Sequence, residues 1–299
     1  MKPGNINRGF LDAVVAGMQR DVYYHFGLDS ADPLLLRLAG LNSVVLAGSG
    51  DRIKDLALRW SRINGDAEVV CFPKEDRFVT RYSAGVLFAS HGMGMPSASI
   101  ALQELMRMIY LLKGGDNDAL DAVLWVRAGT SGGVGVHPGT VVVSSEAVMA
   151  DLRPYRVLAG RNGEYWFDGQ FPEQVRTGII SANAGSEISM TCGKTLSTNE
   201  FFLEQSRRDG ALCLAPEASQ VEWLHWLHDN GVVNIEMEGA MLAGYLNHWG
   251  FPRFAMLCVT LLDRLEGDQV TATTAELGKF NEDTGTALFT YLSGSPAEP

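Results

Sequence analysis

Positive charge is scarce in this chain. Its 299 residues carry 24 Lys and Arg against 35 Asp and Glu, a formal charge of -11. Nothing supplies a broad basic footprint, which excludes a general nucleic-acid binder, although a few local arginines can still hold a small anion. Cysteine is scarce too. Cys71, Cys192, Cys213 and Cys258 lie far apart and form no CxxC. Three of the four sit in or beside apolar runs, so buried reduced thiols are expected rather than a disulfide framework. No His, Cys or acidic cluster has metal-ligand spacing, so no metal is expected. No apolar run approaches membrane-spanning length, and residues 1–20 lack an uninterrupted apolar segment. No membrane contact and no signal peptide are therefore expected, and a cytoplasmic location is the default. A GxGxxG fingerprint, an internal repeat, a low-complexity tract and a clear linker are all missing.

What is present is apolar and periodic. A hydrophobic fraction of 46% over this length can fill one large core or two modest ones. The reading adopted is one domain over residues 1–299, with a loose leader at 1–8 and a loose tail at 293–299. Residues 9–24 carry apolar side chains at helical spacing and predict a helix. Residues 42–48 (NSVVLAG) predict a strand buried on both faces, followed by a helix to about residue 63. Strands are predicted at 67–72, 78–90, 123–128, 139–144, 187–192, 231–236 and 254–262. Helices are predicted at 97–112, 220–229, 239–248 and 271–292. Residues 151–180 are polar and rich in Gly and Pro, and read as an irregular excursion. Strands alternating with helices throughout predict an α/β fold with a mixed central sheet.

Several apolar strands run into polar or glycine-rich turns, and ligands of open α/β sheets bind beyond the carboxyl ends of strands. Gly48-Ser49-Gly50-Asp51-Arg52 joins a strand to a helix start, where free N–H groups and the helix dipole favour an anion. Arg52 opposes that dipole, and a bound anion between them relieves the conflict. Arg127-Ala128-Gly129-Thr130-Ser131-Gly132-Gly133 offers a guanidinium, two hydroxyls and approachable backbone, a reasonable oxyanion site. Glu236 and Glu238, at the end of an apolar strand, are suited either to a vicinal diol or to structural ion pairs. Phe201-Phe202-Leu203-Glu204-Gln205-Ser206-Arg207 sets a carboxamide and a guanidinium two residues apart beside aromatic rings. That group can read the edge of a flat heterocycle, or it can be an ordinary surface helix.

Taken together these stretches resemble the uridine phosphorylases of the dimeric, eukaryotic kind, within the nucleoside phosphorylase superfamily. The resemblance runs through Tyr24-His25-Phe26, Gly48-Ser49 with Arg52, Asp76-Arg77 and Ser90-His91-Gly92-Met93-Gly94. It continues through Arg127 to Gly135, Pro138-Gly139-Thr140, Gly193-Lys194-Thr195, Phe201 with Gln205 and Arg207, and Asn234 to Glu238. Val259 to Leu262 and Arg264-Leu265-Glu266-Gly267-Asp268 complete it, so it covers about residues 22–290.

The resemblance implies a three-layer α/β/α domain whose mixed sheet closes partly into a barrel. It implies reversible phosphorolysis of uridine, and of deoxyuridine or thymidine, with inorganic phosphate as co-substrate and no cofactor. The Gly48 backbone, Arg52, Arg127 and Thr130 would hold phosphate, with Arg77 reaching in from the second subunit of a homodimer. Glu238 and Met237 would hold ribose, and His25 would cross the same interface to its 5′-hydroxyl. Phe201 would stack on uracil, Gln205 and Arg207 would bind its edge, and Leu261 and Leu262 would line its pocket. Arg264, at O4 of the base, joins Arg52 and Arg127 as the catalytic cations.

Two positions depart from the family pattern. Glu204 stands where relatives usually have Gly, and is expected to point outward. Asp263 stands where relatives often carry Asn, and it keeps a purine-nucleoside alternative open. A catalytically silent paralogue acting as a binding or partner subunit is the other alternative. His91, His225, His228 and His248 are expected to be structural or on the surface.

Overall fold

The computed structural model describes residues 20–294. The chain passes between two compact units. The first takes the described residues up to Arg127 and returns for Tyr245–Phe254, and the second takes Ala128–Gly244 and most of the chain after Phe254.

The first unit opens with the short antiparallel strands β1 (Val22–Tyr23) and β2 (Leu28–Asp29). The helix expected over 9–24 therefore ends in a strand, and the rest of it lies outside the described residues, as do the leader and most of the tail. Strand β3 (Ser43–Ala47) is buried along its whole length, as its unbroken apolar run requires. Helix α1 (Gly50–Ile63) follows, with the hydroxyl of Ser49 accepting from the Arg52 N–H at 3.2 Å. Its apolar stripe of Ile53, Leu56, Ala57 and Trp60 is buried. Strands β4 (Val70–Cys71), β5 (Thr80–Ser83) and β6 (Val86–Ser90) are shorter than the expected 67–72 and 78–90. Phe72, whose N–H still donates to the Thr80 carbonyl at 3.2 Å, and Phe78 lie outside these strands and pack against the ring of Phe26. Helix α2 (Met95–Leu112) starts after Gly94, whose φ of 83° suits a residue without Cβ, and the single-turn helix α3 (Asn117–Asp121) follows. Strand β7 (Leu124–Gly133) begins here. In this unit its first half, then β3 and β6, pair in parallel, with β5 and β4 antiparallel at the edge.

The second unit is built on a ring of strands. After β7 come β8 (Val141–Val148), the hairpin β9 (Tyr155–Leu158) and β10 (Glu164–Phe167), helix α4 (Glu173–Ala182) and β11 (Met190–Ser197). Helix α5 (Glu217–Asp229), β12 (Val232–Glu236), the first half of helix α6 (Gly239–Trp249), β13 (Phe254–Asp263) from its second residue and helix α7 (Thr274–Gly294) complete it. The order β12-β11-β8-β13-β7 returns on itself, because Asn234 and Ile235 of β12 pair with Gly133 and Gly132 of β7. The mixed sheet thus closes into a five-stranded barrel, which leaves no free edge in the ring.

Three expectations are corrected here. Residues 129–133 are strand and not a turn, because they form the barrel seam. A Cβ on Gly133 would stand 2.4 Å from the Val136 carbonyl oxygen, so only glycine lets these backbones meet. Residues 193–195, beyond the strand expected at 187–192, are likewise strand interior, with a register shift at Gly193, where a Cβ would run into Val233. Residues 151–180 form the β9–β10 hairpin and α4 rather than an irregular excursion. Of the thiols, only Cys258 is buried; Cys192 is half-buried, while Cys71 on an edge strand and Cys213 in a loop are exposed. Adjacency to an apolar run does not bury the alternate residue of an edge strand. Among the described residues no helix is long and apolar enough to cross a membrane.

Candidate active site

In the first unit, parallel pairing sets three strand ends side by side. Ala47 stands opposite Ser90, and Leu46 opposite Arg127. The turn after β3 and the turn after β6 therefore meet beside Arg127. The His91 N–H donates to the Ala47 carbonyl at 2.9 Å, and the Ser97 hydroxyl donates to the His91 carbonyl at 2.7 Å. A Cβ on Gly48 would lie 3.3 Å from the Gly92 carbonyl oxygen and 4.0 Å from the His91 ring. Backbone N–H groups of the α1 N-terminus, the half-buried Arg52 and the buried Arg127 thus gather at the carboxyl edge of a parallel sheet, which suits an oxyanion.

His25 is held by Glu104, which accepts from its main-chain N–H at 3.0 Å and bonds its Nδ1 at 2.6 Å. Its ring lies 6.1 Å from Phe78. Arg77, next to Phe78 in the exposed turn, makes no ion pair among the described residues.

In the second unit, the two carboxylates at the end of β12 divide their work. Glu236 accepts from the Ser197 hydroxyl at 2.5 Å and from the N–H groups of Glu238 and Gly239 at 2.9 Å, so it caps α6. Glu238, 3% exposed, stands one turn ahead of Leu242, whose N–H donates to its carbonyl. Met237 beside it is half-buried. Thr130 is half-buried in the barrel strand, and Leu262 is buried while Leu261 is half-buried in β13.

Residues 201–207 do not form a surface helix. They make turns, and the main chain at Ser206 has a φ of 52°, a left-handed conformation between Gln205 and Arg207. Gln205 and Arg207 are 4% and 8% exposed, whereas Phe201 is 39% exposed. Gln205 donates through Nε2 to the Thr198 hydroxyl at 3.0 Å. Arg207 is forked onto Asp209, with Nε at 2.8 Å, and its guanidinium lies 4.5 Å from the Phe201 ring centroid. Glu204 turns back on its own loop and accepts from the N–H groups of Asn199 at 2.6 Å and Glu200 at 3.0 Å. Its charge therefore ties the loop's own backbone.

Arg264 is fully buried. Its Nε donates to Asp268 at 2.7 Å and its Nη2 to the Gln205 carbonyl at 2.9 Å, while Nη1 has no partner among the described residues. Burial pulls its pKa down and Asp268 opposes that, so an additional acceptor is favoured at Nη1. Gly132 makes room for this side chain, because a Cβ there would touch Arg264 Cγ at 3.1 Å. Asp263 accepts from the N–H groups of Gly135 at 2.9 Å and Leu265 at 3.0 Å, so it braces the loop. Asp209, Asp268, Ser197 and Thr198 were not picked out from the sequence as single residues. For the two aspartates the one available signal is an acidic residue two positions after Arg207 and four after Arg264. Among the described residues no group of three His, Cys, Asp or Glu side chains stands together as a metal site.

Residues 42–293 match the model of the phosphorylase superfamily. The chain belongs to that superfamily. The match spans both compact units. Uridine phosphorylase A of Schistosoma mansoni is 32% identical over 286 residues, 92% of each chain. A second superfamily member from the same organism, inactive uridine phosphorylase B, is 31% identical over the same shares. The crystal structure of Schistosoma mansoni uridine phosphorylase in complex with thymidine superposes with a TM-score of 0.85 at 32% identity, covering 93% of this chain and 95% of that one. The architecture expected from the sequence, a mixed α/β fold with a partly closed barrel, is the superfamily's own.

Proposed function

We propose that this chain is a uridine phosphorylase, a pentosyltransferase that converts uridine and phosphate reversibly to uracil and ribose 1-phosphate in pyrimidine salvage. Deoxyuridine and thymidine are within its reach, in line with the thymidine-bound relative. The observation that carries the reading is the buried base arm, in which Gln205, Arg207 and Arg264 converge and one guanidinium nitrogen of Arg264 is left for a ligand.

The chemistry follows from charge. Displacing uracil from C1′ passes through an oxocarbenium-like state in which the attacking phosphate is anionic and the leaving base gains negative charge. No covalent nucleophile, metal or cofactor is needed, because positioning and fixed charges lower the barrier. In this reading the Gly48 backbone, Arg52 and Arg127 take phosphate, with the Thr130 hydroxyl adding a bond. Glu238 takes the ribose diol and Met237 packs on the sugar. Phe201 stacks on the base, Gln205 and Arg207 bind its edge, Leu261 and Leu262 wall the pocket, and Arg264 takes charge developing at O4. His25 and Arg77 serve the second subunit of a cytoplasmic homodimer.

A purine substrate fits less well. The carboxylate of Asp263 is engaged by two backbone N–H groups, and the amide-guanidinium pair of Gln205 and Arg207 suits a pyrimidine. A silent paralogue is the second reading, favoured by the likeness to inactive uridine phosphorylase B. Measuring uracil release from uridine with and without phosphate, with inosine alongside, separates these readings. Phosphate-dependent release from uridine is expected. Release without phosphate sinks phosphorolysis, release from inosine alone points to purines, and no release from any nucleoside favours the silent paralogue.

A further inference from the structure

Asp268 touches both arginines of the base-reading arm. One carboxylate oxygen accepts from Arg264 Nε at 2.7 Å. The other accepts from the Arg208 N–H at 2.9 Å and from Gln220 Nε2 at 2.7 Å. Its main-chain carbonyl accepts from Arg207 Nη2 at 2.6 Å. Asp209 supplies the second anion of the group, forked onto Arg207 and bridged to Gln269 at 2.9 Å. Two guanidinium groups thus sit close together in a buried place with two carboxylates to balance them. Burial first, and then the charge of Arg207, pull the Arg264 pKa down, while Asp268 opposes them.

On the reading of this site as a pyrimidine nucleoside site, we propose that Asp268 is the positioning residue of the base arm. Its carboxylate sets Arg264, and its carbonyl sets Arg207, at the spacing the pyrimidine edge requires. The role needs a carboxylate. Both oxygens accept and three donors converge on them, whereas a carboxamide at this position would have to turn an NH2 group toward the donors on Arg208 and Gln220 or toward Arg264. The residue touches no reacting atom in this scheme and acts through the two arginines.

Asp268→Asn tests this by calorimetry with uracil in saturating phosphate, together with steady-state kinetics. The uracil Kd and the KM for uridine are expected to rise on the order of 10- to 100-fold, the loss of one charge-assisted hydrogen bond, while the KM for phosphate stays within about twofold. A uracil Kd equal to wild type overturns the proposal. So does an equal loss of uracil and phosphate binding, which marks a merely structural residue. If Asp268→Asn does not fold, Gln220→Leu keeps the carboxylate and removes one of its donors. A several-fold weaker uracil Kd at constant phosphate KM supports the role, and no change overturns it. Wild-type protein that neither binds uracil nor releases it from uridine sinks the pyrimidine reading itself, which is a separate result from an active wild type with an indifferent variant.

Discussion

At the scale of the residue, the base arm is a set of buried polar groups whose partners are few and short. Gln205 is buried with one amide bond to Thr198, so removing the amide leaves polar surroundings unpaired. Gln205→Leu is expected to weaken uridine binding by about 1–3 kcal/mol, read by calorimetry, and an unchanged affinity refutes a base-reading role. Ser206 holds a left-handed φ between the two reading residues. A β-branched side chain is strained there, so Ser206→Val is expected to lower stability by roughly 1–2 kcal/mol in urea melts. Asp268 titrates below the usual aspartate range. Burial alone raises its pKa, but the hydrogen bond from the Arg208 N–H and the charge of Arg264 overcome that. A depressed folded pKa means a contribution fully present above the ordinary value of 3.8 and lost as pH falls through the lower folded one. The gap in urea midpoint between wild type and Asp268→Asn is therefore expected to hold from neutral pH to about pH 5 and to shrink only below 3.8. A gap that closes near neutrality contradicts the assignment. Gln205 and Arg207 stood out in the sequence by type and spacing. Their anchors did not, because Asp209 and Asp268 are ordinary acidic residues until the fold sets them against guanidinium groups.

At the scale of the element, strand ends and the barrel seam place the chemistry. Buried strands such as β3 and β6 were legible because an unbroken apolar run has one stable fate, burial on both faces. Residues 129–133 were misread as a turn. Glycine runs signal turns locally, yet here they signal close approach of two strands, which is a tertiary fact. Gly133→Ala checks this reading. Its Cβ would meet two backbone oxygens, Val136 at 2.4 Å and Leu262 at 3.1 Å, neither of which can move as a flexible side chain does. A loss of about 2–4 kcal/mol in thermal or urea unfolding is expected, and a near-neutral effect would show that the seam is loose. The 151–180 stretch was misread for the opposite reason. Its two strands are only four residues long and largely exposed, and their apolar side chains follow one another without a period-two alternation to announce them.

At the scale of the whole molecule, the proposed homodimer has a sharp test. Arg77 is assigned to the neighbouring subunit's phosphate and Glu238 to its own subunit's ribose, so the two defects belong to different sites of a mixed dimer. Arg77→Ala and Glu238→Ala proteins, each inactive alone, are expected to recover about a quarter of wild-type activity when unfolded and refolded together in equal amounts, because half the dimers are hybrids with one intact site. No recovery, or a homogeneous active monomer in light scattering, overturns the exchange. Sequence alone determined the α/β class, the buried parallel strands and the strand-to-helix turn at Gly48–Arg52. These depend on local pattern and on the chemistry of single side chains. Only the tertiary structure decided that β12 closes on β7, that Glu236 caps a helix, that Glu204 turns to its own backbone, and that Asp268 gathers Arg207 and Arg264. Each of those depends on which distant segments share a contact, and one strand of side chains does not specify its partner until the other is packed against it.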